Sequence, residues 1–297
     1  MKKNRYGLSR YIPEDIALEV RRRSKFGCVV CRCAVYQYEH IDPSFAHATK
    51  HDPEKICLLC GGCHDKVTRR RLSKESVQAK YLQVMQSNEI RRPFEELDLA
   101  TQNISVSMST AKFEHTQNLI QINGRKFLSI TPPTEGSSFP TLSGIFCDHN
   151  GQETLRITNN VWEGAINAWD IQVVSTQVSI RTANGRTALE FLIEPPDKIK
   201  IKELNMYFEN CHLICNKDGL LVGRARGKRR TYIGVGNFEC GHAKIGVDID
   251  SSFKNIMPRG LKITGGEGVS LEGTGIRIAV GAGMMYVNDI NVWTHQE

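Results

Sequence analysis

The sequence predicts an α+β chain: a small cysteine-rich module with short helices, followed by a larger all-β domain. Three observations carry this. Two Cys-x-x-Cys pairs, Cys28/Cys31 and Cys60/Cys63, lie near the start, separated by 28 residues. Helical patterns with start signals flank them, one opening at Pro13 and one at Ser73. From about residue 119 the apolar pattern takes the two-residue period of strands, and Asn-Gly and Asp-Gly turns separate its segments.

Taken in order, residues 1–11 form a basic arm, either touching phosphates or loose. Pro13 suits the first turn of a helix, and Glu14 and Asp15 complement its positive end. Ile16 and Val20, four apart, face the module. Arg21, Arg22, Arg23 and Lys25 crowd the far end, where their mutual repulsion is most easily offset by a polyanion; complementing the helix C-terminus is the plainer role. Tyr36, Tyr38 and His40 alternate as in a strand, and the loop 43–54 holds His47 and His51. Cys63 to Arg71 reads as a short helix carrying Lys66, Arg69, Arg70 and Arg71. Ser73 caps a further helix whose apolar face is Val77, Tyr81, Leu82 and Met85. Asn88–Pro93 breaks that helix, and the polar stretch Thr101–Thr110 follows. The division is a module at 1–92, a linker at 93–118 and a β domain at 119–297.

Strands are expected at 119–122, 126–130, 171–174, 177–180, 188–193 and 199–201. Turns fall at Asn123-Gly124, Asn150-Gly151, Asn184-Gly185 and Asp218-Gly219. A sandwich or jelly roll is the simplest architecture. A β-solenoid is the alternative, without a fixed repeat period to support it.

Charge and cysteine usage narrow the function. Residues 1–92 hold 19 Lys/Arg against 10 Asp/Glu, and the remaining residues 20 against 22, so the net charge of +7 comes entirely from the cysteine-rich module. A basic module suits a polyanionic partner bound in a salt-sensitive way. No apolar run reaches 18 residues and no signal-peptide segment opens the chain, which points to a cytoplasmic protein away from membranes. Six of the ten cysteines crowd into residues 28–63. Without a secretion signal, metal binding explains them better than disulfides. Cys28, Cys31, Cys60 and Cys63 suit tetrahedral Zn²⁺, a closed structural site. Cys33 and Cys57 are left over, although Cys33 could replace Cys31 as a ligand.

The segments Tyr38-Glu39-His40-Ile41-Asp42-Pro43 and Ile56-Cys57-Leu58-Leu59-Cys60-Gly61-Gly62-Cys63-His64 resemble the HNH nuclease family, over roughly residues 8–80. The resemblance implies a zinc-stabilised ββα-metal module and a metal-dependent endonuclease acting on DNA, double-stranded by preference, with RNA not excluded by charge. It implies that His40 is the general base activating water, and that His64 and Glu39 hold a catalytic Mg²⁺, Mn²⁺ or similar ion. The family's middle Asn is missing: Asp52-Pro53-Glu54-Lys55 stands there, and Asp52 or His51 could substitute. Residues 21–25 and 66–71 would then grip phosphates. A nuclease joined to a large second domain resembles bacterial antiviral and restriction systems, in which the β domain would sense a small-molecule or protein signal, target the enzyme or form homo-oligomers. The competing class is a zinc-stabilised binding module that does not cleave.

Other features are weaker. Cys211, His212, Cys215, Cys240 and His242 offer ligands for a second metal, but buried structural cysteines are the better reading. Gly223–Arg230 is a basic, glycine-bracketed segment that suits a hairpin tip. Gly265–Gly268 and Val280–Gly283 lack the Lys-Ser/Thr ending of a phosphate loop.

Overall fold

The computed structural model describes residues 3–183, 185–217, 219–226, 229–235, 239–241, 244–249, 261–264, 268–271, 276–278 and 292–296. Its elements begin with α1 (Glu14–Arg23), β1 (Gln37–His40), a 3-10 turn (Pro53–Lys55), β2 (Ile56–Leu59), α2 (Gly61–Thr68), α3 (Lys74–Gln86) and β3 (Phe94–Glu96). From there the described elements are all strands. The content is 43% strand against 15% helix, and no closed barrel forms among the described residues. The expected α+β class is therefore corrected to a predominantly β chain with several sheets. The reason is proportion: three short helices do not balance the strands that fill the rest.

The chain divides into two compact units. The first comprises Met1–Glu95 together with Glu163–Ser175 and Ser179–Gly185. Its centre is the antiparallel pair β1–β2, in which Glu39 faces Cys57 and His40 faces Ile56. All four residues of β2 are fully buried. Successive side chains of a strand point to opposite faces. Ile56 and Leu58 accordingly join Val20 of α1, with Tyr36 and Tyr38 beside them, in one cluster. Cys57 and Leu59 join Cys28, Cys63 and the α3 residues Val77, Tyr81 and Val84 in another. The α3 face differs from expectation: Leu82 is 43% exposed and Val84 is buried in its stead. Ser73 caps α3, its side chain accepting from the Ser76 amide.

The second unit comprises Glu96–Trp162, Thr176–Val178 and Arg186–Glu297. Residues 93–118, expected as a linker, carry β3, β4 (Ser105–Met108) and β5 (Ala111–Glu114). Next come β6 (Asn118–Ile122), β7 (Arg125–Thr131), β8 (Thr141–Cys147) and β9 (Glu153–Thr158), paired antiparallel in sequence. Asn123 and Gly124, both at positive φ, join β6 to β7 as the sequence predicts, because a two-residue turn of this hand matches the twist of the strands. Further strands are β10 (Val161–Gly164), β11 (Asp170–Val174), β12 (Gln177–Arg181), β13 (Thr187–Glu194), β14 (Lys198–Phe208), β15 (Cys211–Asn216), β16 (Gly219–Arg226) and β17 (Arg229–Val235). Strands β13 to β17 form a run of antiparallel hairpins. Parallel-stacked solenoid rungs would not pair this way. Three parallel joints, β4 with β14, the strand Glu239–Gly241 with β5, and the strand Ile245–Ile249 with β6, tie distant segments together.

Candidate metal centre and active site

The sulfurs of Cys28, Cys31, Cys60 and Cys63 all lie within 4.8 Å of one another. Two local folds bring them there. In the first knuckle the Cys28 amide donates to Cys33 O (2.9 Å) and the Arg32 amide to Cys28 O (2.8 Å), with Arg32 in the left-handed region at φ 72. In the second, Cys60 caps α2 and its sulfur accepts from the Cys63 amide at 3.4 Å. A Zn–S bond of about 2.3 Å places tetrahedral sulfurs about 3.8 Å apart. The four thiols therefore fit a structural zinc ion. Burial, the neighbouring sulfurs adding to it, pushes Cys31 up to about 11. At Cys60 burial acts upward too, but the Cys63 amide and the Cys31 thiol outweigh it and lower the group. Four thiolates need a cation to coexist. Cys33 is not one of the set: its thiol donates to Glu95 Oε2 (3.0 Å). Cys57 is buried within β2, in the same cluster as Cys28 and Cys63.

Arg32 was not singled out by the sequence. Its buried guanidinium donates to five backbone carbonyls, those of Ser24, Lys25, Gly27, Cys28 and Arg91, at 2.6–3.4 Å. Burial draws it down to about 10, and the adjacent Cys28 and Cys31 act the other way.

The hairpin and α2 bring Glu39 and His64 together, with Glu39 Oε2 at 3.2 Å from His64 Nε2. Lys74 of α3, which sequence reasoning missed, places its ammonium 3.0 Å from Glu39 Oε1 and donates to His40 O at 2.6 Å. Next along β1, the His40 ring is 7% exposed, edge-on to Phe45, and its Nε2 lies 3.2 Å from His51 Nδ1. Burial, with smaller contributions from His51, Lys74 and Arg10, draws His40 down to about 4. It is a neutral imidazole at neutral pH. Both candidates for the missing Asn have positions of their own: Asp52 caps the 3-10 turn by accepting from the Glu54 amide (3.0 Å), and His51 holds His40. His47 bonds Arg5 and Ser44.

Of the α1 cations expected to grip phosphates, Arg21 is turned wholly inward and the others are partly exposed and already bonded. Arg21 is fully buried and forks onto Asp170, with Nε 2.8 Å from Oδ1 and Nη2 2.9 Å from Oδ2, while it also reaches Glu14 and Tyr38. Arg22 donates to Trp169 O and lies over that ring. Arg23 bonds the Tyr81 hydroxyl and pairs with Glu19 and Glu54. Lys25 is bonded to Ser87 O. Arg21 thus belongs to the interior, and Arg22, Arg23 and Lys25 bond other groups of the unit from partly exposed positions. By contrast, Lys66, Arg69, Arg70 and Arg71 are exposed, with Arg69 paired to Asp65 at 2.8 Å.

Among the described residues the four cysteines are the one cluster of three or more convergent metal ligands. The second-metal reading finds its residues otherwise engaged. His212 bonds Asn205 and stacks on Tyr207, Cys215 donates to Ile201 O, and Cys240 accepts from Thr116; His242 lies outside the described residues. Of the Gly223–Arg230 segment, residues 223–226 lie in β16 and 229–230 in β17, Arg226 pairing with Arg229, and residues 227–228 lie outside the described residues. Residues 265–267 and 280–283 lie outside the described residues. No helix among the described residues is long and apolar enough to cross a membrane. Comparison of the chain with known protein families, with curated proteins and with solved structures finds no match.

Proposed function

We propose that the first unit is a metal-dependent endonuclease of the HNH type that hydrolyses DNA phosphodiester bonds. The observation that carries this reading is the meeting of Glu39 with His64 at 3.2 Å, built by β1, β2 and α2 beside four convergent thiols, with neutral His40 adjoining. One carboxylate and one imidazole would leave most positions of a divalent cation to water and to the oxygens of a phosphate, the carboxylate being the donor a hard ion prefers. Such an ion, Mg²⁺ or Mn²⁺, supplies charge stabilisation at the scissile phosphate. Glu39 and His64 would hold it. His40, neutral at working pH, takes the proton from the attacking water. Lys74 pairs with Glu39 Oε1 and fixes the strand end through His40 O. Exposed Lys66, Arg70 and Arg71 supply sequence-independent phosphate contacts. The basic charge of residues 1–92 supports a polyanionic substrate.

A cutter of DNA endangers the genome around it. We assign restraint or targeting to the second unit, in an antiviral or restriction setting, by analogy of architecture alone. The test is plasmid cleavage by the zinc-loaded full chain with Mg²⁺ or Mn²⁺ against metal-free buffer, beside His40→Ala and Glu39→Gln. Loss of about 10²–10⁴-fold in either variant supports the reading. Cleavage at the normal rate by His40→Ala defeats it. Silence in every arm, with DNA still retained, favours the non-cleaving binding module.

A further inference from the structure

We propose that His51 is the positioning residue of His40, and that a backbone carbonyl of the N-terminal arm sets the tautomer of both rings. This rests on the nuclease reading for its catalytic meaning only; the hydrogen-bond relay stands apart from it.

The relay begins at Ser9. Its carbonyl oxygen can only accept, and it lies 3.0 Å from His51 Nε2. That nitrogen therefore carries a hydrogen. An imidazole with a single N–H, placed there, presents a lone pair at Nδ1; the relay is the one this form of His51 makes. His40 Nε2 lies 3.2 Å from it and must donate. The only nitrogen of His40 left with a lone pair is Nδ1. One carbonyl thus selects, through two rings, which atom of His40 can take a proton from water. The principle is general: the bond made by one ring nitrogen decides the state of the other.

The arm is built to deliver that carbonyl. Asn4 folds it, its Oδ1 accepting from the amides of Tyr6 and Leu8, both at 3.0 Å. The same side chain fastens it to the loop that carries His51, its Nδ2 donating to Phe45 O (2.6 Å) and Ala48 O (2.7 Å). Phe45 also packs edge-on against His40, 5.3 Å between ring centroids. Arm, loop and ring form one continuous set of contacts. The basic arm, which by sequence either touched phosphates or hung loose, has a third role: it holds the proposed base in register.

The experiment reads the tautomers directly. Full-length, zinc-loaded protein labelled with ¹⁵N at histidine is observed through two-bond ¹H–¹⁵N correlations, with His40 signals identified by their loss in His40→Gln. We expect the Nε2–H pattern at both His40 and His51. In His51→Phe, which keeps a ring but offers no acceptor, His40 should lose its single tautomer; His51→Asn, with an oxygen near the place of Nδ1, should keep it. A His40 found as Nδ1–H, a doubly protonated His51, or a His40 pattern unchanged in His51→Phe overturns the relay. Should His51→Phe fail to fold, the wild-type pattern alone decides.

Plasmid cleavage then tests the positioning role. His51→Phe should lower kcat about 10- to 100-fold with KM unchanged, and His51→Asn should recover part of it. Normal turnover by His51→Phe overturns the role. If the wild-type protein cuts nothing, the nuclease reading falls while the tautomer result still judges the relay.

Discussion

Arg21 and Asp170 stand 149 positions apart in the chain and meet as a bidentate ion pair, both side chains 1% exposed or less. The pair pins α1 to β11 inside the first unit, and Glu14 and Tyr38 complete the guanidinium's partners. Burial pulls Arg21 down, yet the bonds to Asp170 and Glu14 outweigh it and leave the group above its ordinary value. A buried pair of this kind fixes geometry more than it adds net stability, but half of it is costly. We expect Asp170→Ala to destabilise the first unit by about 3–5 kcal/mol, by leaving the buried guanidinium with only the exposed Glu14 as counter-charge. Urea unfolding measures this. The double variant Arg21→Met/Asp170→Ala should lose less than the sum of the single ones; strict additivity would mean the two side chains are independent.

Zinc content gives the second prediction. The full chain should bind one ion through the four clustered thiols, and Cys60→Ser should lose both the ion and the near-UV signature of the first unit's packing, because the knuckles close around the metal. Cys33→Ser should retain the full zinc content, since that thiol faces Glu95. Metal analysis after gel filtration separates the outcomes. A lost ion in Cys33→Ser would reopen the choice of ligands.

Nucleic-acid affinity should follow exposure and not the density of arginines in the sequence. Replacing Arg70 or Arg71 by Ala should weaken DNA binding across sequences and reduce the salt slope by about 1 each. Arg22→Ala should leave the slope unchanged while lowering stability, because its guanidinium lies 4.5 Å from the Trp169 ring centre and bonds that residue's carbonyl. Fluorescence anisotropy over a salt series checks both.

Alkaline pH should weaken the second unit. Burial, with Glu203 adding to it, pushes Cys215 up to about 12 from an ordinary 9.0. Between those values the unfolded chain gives up the proton and the folded chain keeps it. Stability at this site is therefore intact below about pH 9 and falls as pH rises toward 12. Cys215→Ala should flatten that part of the urea-midpoint profile, at the expense of a small cavity. A slope unchanged in the variant would assign it to other groups.

What could be read from the sequence was local. Cys-x-x-Cys spacing is enforced by a few backbone bonds, so the ligand set was visible there; Asn123-Gly124 and Ser73 likewise act within a few residues of themselves. Glu39 and His64 meet at 3.2 Å, but the hydrogen bonds around them and around His40 join residues too far apart in the chain for spacing to encode. At the charged end of α1, helical phase and not charge decides which arginine is buried. Arg21 follows Val20 directly and lies four residues after Ala17, both buried, and that phase was the available signal. Its partner was out of reach, since no local pattern marks a carboxylate 149 residues away. The roles of Lys74, Arg32 and Ser9 rest on tertiary distances of about 3 Å, which spacing does not encode.

The discontinuity of the first unit also has a meaning in time. A ribosome adding 5–20 residues per second needs roughly 7–30 s to travel from Arg21 to Asp170. Throughout that interval the nascent module carries a guanidinium whose principal counter-charge has not been made. The proposed cutting centre, though encoded within the first 74 residues, reaches its finished scaffold only after much of the second unit has been synthesised. For the nuclease we propose, that order would keep the scaffold of the centre unfinished until the chain has grown past Asp170.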